Sequence, residues 1–553
     1  MKFKTVAGGG KTIFLPFSSG QLSRQRLFST FLFVFIVIVN CFSAVKCNKY
    51  ENEFYSSVAG LERLLKTEQI LMTDLKDYVA TTTQQLALLE KEILKIEIEH
   101  ELAAADTENY LTNPVNAYKL INRLFNGWDK YEEQIADAFT YIQQLHQRRN
   151  TLDFPSDDDF EESALALVRL QKTYNLEVSQ LASGVLNGVK YGSDMSWSDC
   201  LMLGEQLIRL RAYNQTRPWM QESIKRLNFD SFNGNKISLE FMEILAENLL
   251  KTGDVNSALK VVQIILNEDP LRKGNVAKMF ENTETLPEMG NIETEYHATQ
   301  EFKTYEKVCR EEIQQSPAEK RNLRCRYHTG NCAFCKLAPI KVEELHLDPL
   351  VMVFHDMISD EKIEKIKELA IPNMKRSTVR AESDASSRKR NYRISKNAWL
   401  PYNNHPYMEQ MLRDLHDVTS LDMTYSEELQ VANYGLGGHY EPHFDFFTDN
   451  IPEDQGNRIS TSIFYLSDVE QGGATAFPFL KIAVKPAKGN VLFWYNLHRS
   501  SDGDFRTKHA GCPVLKGSKW IGNVWTHERR QEMIRPCGLV RDHESSLQYA
   551  TVK

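Results

Sequence analysis

Two histidines, an aspartate and a lysine in the last quarter of the chain have the types and spacing for metal-centred redox chemistry. His443-Phe444-Asp445 lies where Gln430 to Tyr434 suits a strand, Gly437-Gly438 signals a turn and His439 to Phe446 suits the returning strand. Side chains two apart on a strand share a face, so His443 and Asp445 can grip one ion while Phe444 packs behind them. A third ligand must come from elsewhere in the fold, and His509, in Arg506-Thr-Lys-His-Ala-Gly-Cys-Pro513, is the candidate. Two imidazoles and a carboxylate on one side of a metal leave its other positions open, the arrangement of non-haem Fe(II) oxygenases. Lys519 follows the turn signal Lys516-Gly-Ser518 and opens the strand-like run to Trp525. A buried lysine there can pair with the far carboxylate of a dicarboxylic co-substrate whose other end chelates the metal; the alternative is a solvent-facing lysine beside Trp520. A second such pair, His346-Leu-Asp348, reads as a solvated loop before Pro349.

The elements that must position these groups are mostly short strands. Val351 to Phe354 reads as a strand by itself, and Asn457 to Leu466, Ala474 to Phe477, Gly489 to Asn496, Cys512 to Leu515 and Lys519 to His527 follow one another with turn signals between them. Asp360 to Ala370 reads as a helix. Short strands without intervening helices imply a two-sheet jelly roll. By period two, Lys519, Trp525 and His527 share a face of the last strand. Tyr434 is placed either to hydrogen-bond the co-substrate or to pack in the core, and His527 either faces the site or supports it from behind.

The amino-terminal half is helical. From Val58 to Ile96, positions 58, 61, 65, 68, 72, 75, 79, 82, 86, 89, 93 and 96 alternate three and four apart, broken only by Glu68 and Thr82. Such a heptad seam needs a partner, in a second copy or within the chain; a coiled coil joining two copies is the expectation. Asn113-Pro114 ends the pattern and a second helix follows to about Asn150; Phe160 to Leu181 is helical and Ser183 to Ser193 reads as a linker. Leu245 to Leu259, turning at Gly253-Asp254 and closing at Asp269-Pro270, has the small and large residues of a tetratricopeptide-like hairpin.

A net charge of −8 with no dense basic tract beyond the start argues against nucleic acid as a partner. Lys2, Lys4, Lys11, Arg24 and Arg26 precede the apolar run Leu27 to Val39 and the small residues after Cys41. This is the layout of a secretory signal cleaved after Ser43, or of an anchor spanning 27–45; either sends the bulk of the chain into the lumen. There Asn214-Gln-Thr216 is an acceptor for glycosylation, and Cys332-Ala-Phe-Cys335 suits a structural disulfide better than a redox or zinc site.

Glu428-Leu-Gln-Val-Ala-Asn-Tyr434, Tyr440-Glu-Pro-His-Phe-Asp-Phe446, Gly472-Gly-Ala-Thr-Ala-Phe-Pro478, Phe493-Trp-Tyr-Asn496, His509-Ala-Gly-Cys-Pro-Val514 and Trp525-Thr-His-Glu-Arg529 resemble the catalytic region of collagen-type prolyl 4-hydroxylase alpha subunits. Asn113 to Leu120 and Leu170 to Leu176 resemble that family's amino-terminal region. The resemblance implies an α+β multidomain chain: signal peptide 1–43, dimerising coiled-coil domain 46–182, tetratricopeptide-like peptide-binding module 194–285, Cys-containing linker 286–345, and a double-stranded β-helix 346–535 with its core at 425–530. It implies Fe(II) on His443, Asp445 and His509, 2-oxoglutarate anchored by Lys519 with O2 as co-substrate, and ascorbate as reductant. It also implies hydroxylation of peptidyl proline at C4 in the endoplasmic reticulum lumen, and a protein disulfide isomerase beta subunit in an α2β2 assembly. Tyr440, Arg458, Trp525 and His527 resemble positions facing the peptide. Cys309 with Cys325, and Cys512 with Cys537, are the expected disulfides. In the helical module the family lines its peptide groove with tyrosines; this chain keeps Tyr213 but has Ile208, Asn214, Ile244, Glu247 and Leu250 nearby. That departure leaves open another peptidyl residue, such as lysine, or a non-collagen substrate. A non-catalytic interaction subunit is the third reading.

Overall fold

The heptad seam folds back on itself. In the computed structural model, which describes residues 53–81, 86–128, 131, 148, 151–227, 239–282, 295–330, 333–377 and 392–538, the series divides between helices α1 (Val58–Thr81) and α2 (Leu86–Ala105). They run antiparallel, since Glu68 meets His100 and Lys76 meets Glu97. Val58, Leu61, Met72 and Leu75 from α1 and Leu89, Ile93 and Ile96 from α2 enter one core with α3 (Pro114–Asn122) and α4 (Asp157–Thr173). The expected second copy is not what buries this seam; the chain's own next helix does. Glu68, one of the two breaks in the pattern, is fully buried and held by Arg123 at 2.5 and 3.0 Å and by His100 at 2.9 Å. A capping box of Ser156 and Asp159 starts α4, and the same Asp159 carboxylate accepts the Phe54 and Tyr55 amides at 2.6 and 3.1 Å.

Residues 183–193, read above as a linker, contain a small hairpin, Val185–Leu186 with Val189–Lys190. Beyond it, α5 (Trp197–Arg209) packs on α6 (Tyr213–Arg226), and α7 (Leu239–Lys251) on α8 (Val255–Glu268). Leu201, Met220, Leu245, Leu249, Ala258 and Val262 form their separate core. Gly253 makes the α7–α8 turn at φ +77°, and Asp254 caps α8 by accepting the Ser257 amide. Asn214 is exposed on the first turn of α6, but the Thr216 hydroxyl of its sequon is buried and donates to Ala212 O.

The carboxy-terminal half is built on two antiparallel sheets. In chain order the strands are β1 (Cys325–His328), β2 (Ile340–Leu347), β3 (Leu350–His355), β4 (Lys375–Arg376), β5 (Lys396–Leu400), β6 (Leu429–Tyr434), β7 (Tyr440–His443), β8 (Arg458–Tyr465), β9 (Thr475–Phe477), β10 (Ile482–Val484), β11 (Val491–Tyr495), β12 (His509–Gly511) and β13 (Lys519–His527). The large sheet has the order β1-β2-β3-β11-β8-β13-β6-β5-β4, and the small one β10-β9-β12-β7. Alternation sets the faces: Trp520 and Val524 of β13 pack with Ile363 and Ile366 of the 360–370 helix and Met411 and Leu415 of the 406–419 helix. Ile521 turns the other way and packs with Tyr434, Phe477 and Trp494, between the two sheets. The second His-x-Asp pair stays apart from this interior: His346 is in β2, not a loop, and Asp348 accepts from Arg506 at 2.9 Å.

The helices press directly on the loop between β6 and β7. Gly435 N donates to Ser56 O at 3.1 Å, Val58 N donates to Asn433 Oδ1 at 3.1 Å, and Arg169 donates to Gly437 O at 3.3 Å. A Cβ on Gly435 would stand 2.5 Å from Ser57 N, so no side chain fits there. Leu436, Ala476, Ala510 and Leu515 share the core of α1–α4.

The disulfides differ from expectation. Cys309, at the end of helix α9 (Gln300–Cys309), is bonded to Cys512, with Cα atoms 5.7 Å apart. The helix lies against β9 and β10, which carries Cys309 to the end of β12. Cys325 on the outermost strand β1 and Cys537 near the carboxy-terminal end are exposed thiols, so neither expected pairing is present. Cys335 is disulfide-bonded; Cys332 lies outside the described residues, as do the basic and apolar stretches before residue 53. Among the described residues no helix is long and apolar enough to cross a membrane.

Candidate metal centre and co-substrate site

Facing positions of β7 and β12 pair His443 with His509. Their ligand atoms and a carboxylate oxygen of Asp445 all lie within 4.8 Å of one another. Nε2 of His443 is 3.6 Å from Asp445 Oδ1, and Nε2 of His509 is 3.5 Å from Oδ2. The other ring nitrogens are committed: His443 Nδ1 donates to Glu441 O at 2.7 Å and His509 Nδ1 to Thr507 O at 3.1 Å. Both Nε2 atoms are thereby turned inward as free lone pairs. Asp445 lies beyond the end of β7, so strand alternation alone does not aim it, contrary to the sequence argument. Thr461 Oγ1 of β8 donates to its Oδ2 at 2.7 Å, Asn496 donates to the same hydroxyl at 2.9 Å, and Arg458 holds its backbone carbonyl at 3.3 Å.

Electrostatics prepare the same donor set. Burial pushes the His443 pKa down, helped by His509, to about 3, so the ring is neutral and able to ligate. Burial alone would raise the Asp445 carboxyl, but His509, His443, Arg458 and the Thr461 hydroxyl outweigh it and hold it at about 2. Two imidazoles and one carboxylate fit a ferrous ion. Trp494 and Phe477 wall the site, their rings 4.6 and 5.7 Å from that of His509.

Lys519 opens β13 opposite Tyr434 on β6, and its Nζ lies 5.2 Å from the Tyr434 ring centroid. It is 2 % exposed, and burial lowers its pKa to about 7. A Cβ on Gly511, two residues after His509, would come 3.8 Å from the Lys519 nitrogen. The ammonium of Lys519 therefore reaches the strand that carries His509. Tyr434 is buried and bonded to Arg393, which also donates to Gln430 at 2.8 Å and lies over Tyr440 at 4.8 Å.

Tyr440 stacks on His443 with centroids 3.6 Å apart. Arg458 forms a bidentate pair with Glu427 at 2.5 and 2.8 Å and lies 4.1 Å over Trp525. His527 is fully occupied, with Nδ1 on Gly456 O at 2.8 Å and Nε2 on Glu427 at 3.1 Å, so it braces Glu427 from behind. Tyr213 stands at the start of α6, away from these strands in the chain; its side chain is outside the described ones. Sequence reading did not find Arg393, Glu427, Thr461 or Asn496 as supports. Asn496 lay within a quoted motif, but nothing local distinguishes the other three.

Residues 57–188 match the family described as "Prolyl 4-Hydroxylase alpha-subunit, N-terminal region", and residues 429–527 match the 2OG-Fe(II) oxygenase superfamily. The chain is 39% identical over 520 residues to prolyl 4-hydroxylase subunit alpha-2 of Caenorhabditis elegans, covering 90% of this chain and 95% of that one. It is 38% identical over 518 residues to subunit alpha-1 of Homo sapiens, covering 88% and 96%. Among solved structures, a viral collagen prolyl hydroxylase from Paramecium Bursaria Chlorella virus-1, crystallised with 2OG, is 26% identical, covering 32% of this chain and 94% of that one at a TM-score of 0.27.

Proposed function

This chain belongs to the prolyl 4-hydroxylase alpha-subunit family, and from that premise we propose that it hydroxylates peptidyl proline at C4, consuming 2-oxoglutarate and O2 and releasing succinate and CO2. The observation that carries this reading is the convergence of His443, Asp445 and His509 beside a buried Lys519. When bound, Fe(II) with 2-oxoglutarate supplies the oxidising power. The chain's own residues do the rest. Glu441 and Thr507 carbonyls aim the two imidazoles, and Thr461 and Arg458 hold Asp445 in place. Lys519 pairs with the far carboxylate of 2-oxoglutarate, and Tyr434 and Arg393 line its flank. Trp494 and Phe477 keep water from the reacting centre.

Tyr440, Arg458 and Trp525 line the approach for the peptide, and His527 keeps Glu427 fixed against Arg458. The helical pairs α5–α8 act as a tetratricopeptide-like peptide-binding module, Tyr213 contributing an aromatic face for a proline-rich, extended ligand. The two sheets, with the histidine ligands on the small one and Lys519 on the large one, support a double-stranded β-helix. Ascorbate would serve as the reductant for iron held by His443, Asp445 and His509. The chain works in the endoplasmic reticulum lumen with a protein disulfide isomerase beta subunit in an α2β2 assembly, and Asn214 is the glycosylation site. Self-association is supported by Leu94, Ile98 and Leu102, exposed at every fourth position along α2. The replaced tyrosines of the helical module favour, as a second reading, a substrate other than long collagen-like chains.

The deciding experiment incubates the holoenzyme with proline-rich and lysine-containing peptides and locates the gain of one oxygen by mass spectrometry. Proline should carry it, only with 2-oxoglutarate present and not in His443→Ala. Oxygen on lysine would establish the second reading, and no modification of either peptide together with no succinate formed from 2-oxoglutarate would remove the enzyme assignment.

A further inference from the structure

A short segment outside both sheets is tied to each of the two strands that carry a histidine ligand. It comprises the turn Glu295–Ala298 and the first turn of α9, whose start is capped by Thr299 accepting the Phe302 amide. His297 Nε2 donates to Glu441 Oε1 at 2.9 Å, two residues before His443. Glu301 Oε1 accepts from Lys508 Nζ at 2.5 Å, one residue before His509, and from the Tyr296 hydroxyl at 2.7 Å. The ammonium of Lys508 also lies over the rings of Tyr296 and Phe444, at 5.6 and 5.3 Å. Phe302 packs at a tilt against His297 at 4.4 Å and edge-on against Tyr305 at 5.2 Å, and Tyr305 is fully buried. The segment is thus itself fixed in the core.

The consequence is geometric. Glu441 carries on its backbone the carbonyl that receives His443 Nδ1–H, and on its side chain the carboxylate that receives His297. Lys508 lies between Thr507, whose carbonyl receives His509 Nδ1–H, and His509 itself. Each imidazole is aimed by a local carbonyl, and each of those stretches is pinned to the same third element. We propose that residues 295–301 form a positioning strap for the iron site, with Glu301 and His297 setting the separation of the two histidine ligands through Lys508 and Glu441. The inference rests on the ligand assignment made above. It assigns no contact with metal or substrate to the strap: Glu301 and His297 act through the strands.

The test measures metal affinity directly. Fe(II) affinity of the full-length holoenzyme is read by anaerobic competition against a chromogenic chelator, and steady-state kinetics give kcat with the KM values for iron and 2-oxoglutarate. Glu301→Gln keeps the shape and the Tyr296 contact but removes the charge facing Lys508. It should weaken iron binding about tenfold, the lower end of what outer-sphere partners contribute, with the 2-oxoglutarate KM changed less than about twofold because Lys519 lies on the other sheet. Glu301→Lys should weaken it further, and Glu301→Lys with Lys508→Glu should recover most of the loss. Lys485→Met, which breaks an exposed pair with Glu311 away from the strap and from both ligand strands, should leave iron affinity at the wild-type value. Wild-type iron affinity in Glu301→Gln overturns the proposal, as does an equal rise in the iron and 2-oxoglutarate KM values or a failure of the charge swap to rescue. His443→Ala separates this from the underlying assignment: wild-type iron affinity there would remove the metal site itself, whereas a silent Glu301→Gln beside a dead His443→Ala removes only the strap.

Discussion

His443 and His509 are opposite neighbours on antiparallel strands, their ring centroids 4.3 Å apart, and each gives its Nδ1 hydrogen to the carbonyl two residues before it. The repetition makes the site a property of the two strands, set before any ion arrives. Replacing one imidazole should therefore abolish metal binding without unfolding the sheet. His443→Ala is expected to lose turnover by more than the roughly 100-fold that outer-sphere partners cost, with an unchanged melting temperature. Succinate release persisting in that variant would refute the ligand assignment.

Lys519 predicts a pH dependence. With its site free of counter-charge, burial lowers its pKa to about 7, below the ordinary lysine range. A dicarboxylate restores the cation, so above that pH binding must take up a proton. The apparent 2-oxoglutarate affinity should fall about tenfold per pH unit from roughly 7 upward, and Lys519→Ala should flatten this profile at a much higher KM with iron binding little changed. A wild-type KM constant from neutral to alkaline pH would contradict the pairing. The stability effect has the opposite sense: the unfolded chain binds more protons over that window, so this group's contribution to stability rises with pH.

Thr461 holds Asp445 by one hydroxyl that is itself fixed by Asn496. Thr461→Val preserves shape and removes the donor. We expect about a tenfold weaker affinity for iron, measurable by chelator competition, with the 2-oxoglutarate requirement unchanged once iron saturates. Unaltered metal affinity would show that Arg458 suffices to place the carboxylate.

In the helical half, Arg123→Met would strand the buried Glu68 carboxylate, leaving only His100 beside it. Removing one partner of a buried pair costs about 3–5 kcal/mol, to be read from denaturant unfolding. A loss near zero would mean that Glu68 escapes by protonation or by reaching water.

How far the sequence reached follows the range over which each feature is determined. The grouping of His443, Asp445 and His509 was legible because their residue types and the turn signals around them are local, although the strand period invoked for Asp445 does not reach it; Lys519 was legible as a buried lysine at the start of its strand. Thr461 was not, because its task depends on the register that sets it opposite Trp525 and Trp494 across two neighbouring strands. The seam from Val58 to Ile96 was legible as a buried stripe, but a heptad looks the same whether its partner is another copy or the next helix. Glu68, a blemish in the pattern, was the clue, since its partner Arg123 lies in the same chain. Cysteine pairing was the least accessible: bonding Cys309 to Cys512 requires α9 to dock on the small sheet, which no spacing encodes.

The roofing of Gly435–Gly437 by residues 56–58 and 166–169 bears on whether the oxygenase half can live independently. Excised, that half would bare Leu436, Ala476, Ala510 and Leu515 to water, and the loop linking Tyr434 to Tyr440 would lose its ceiling. The oxygenase half thus leans on the amino-terminal helices for the cover of the loop that joins the strands of Tyr434 and His443.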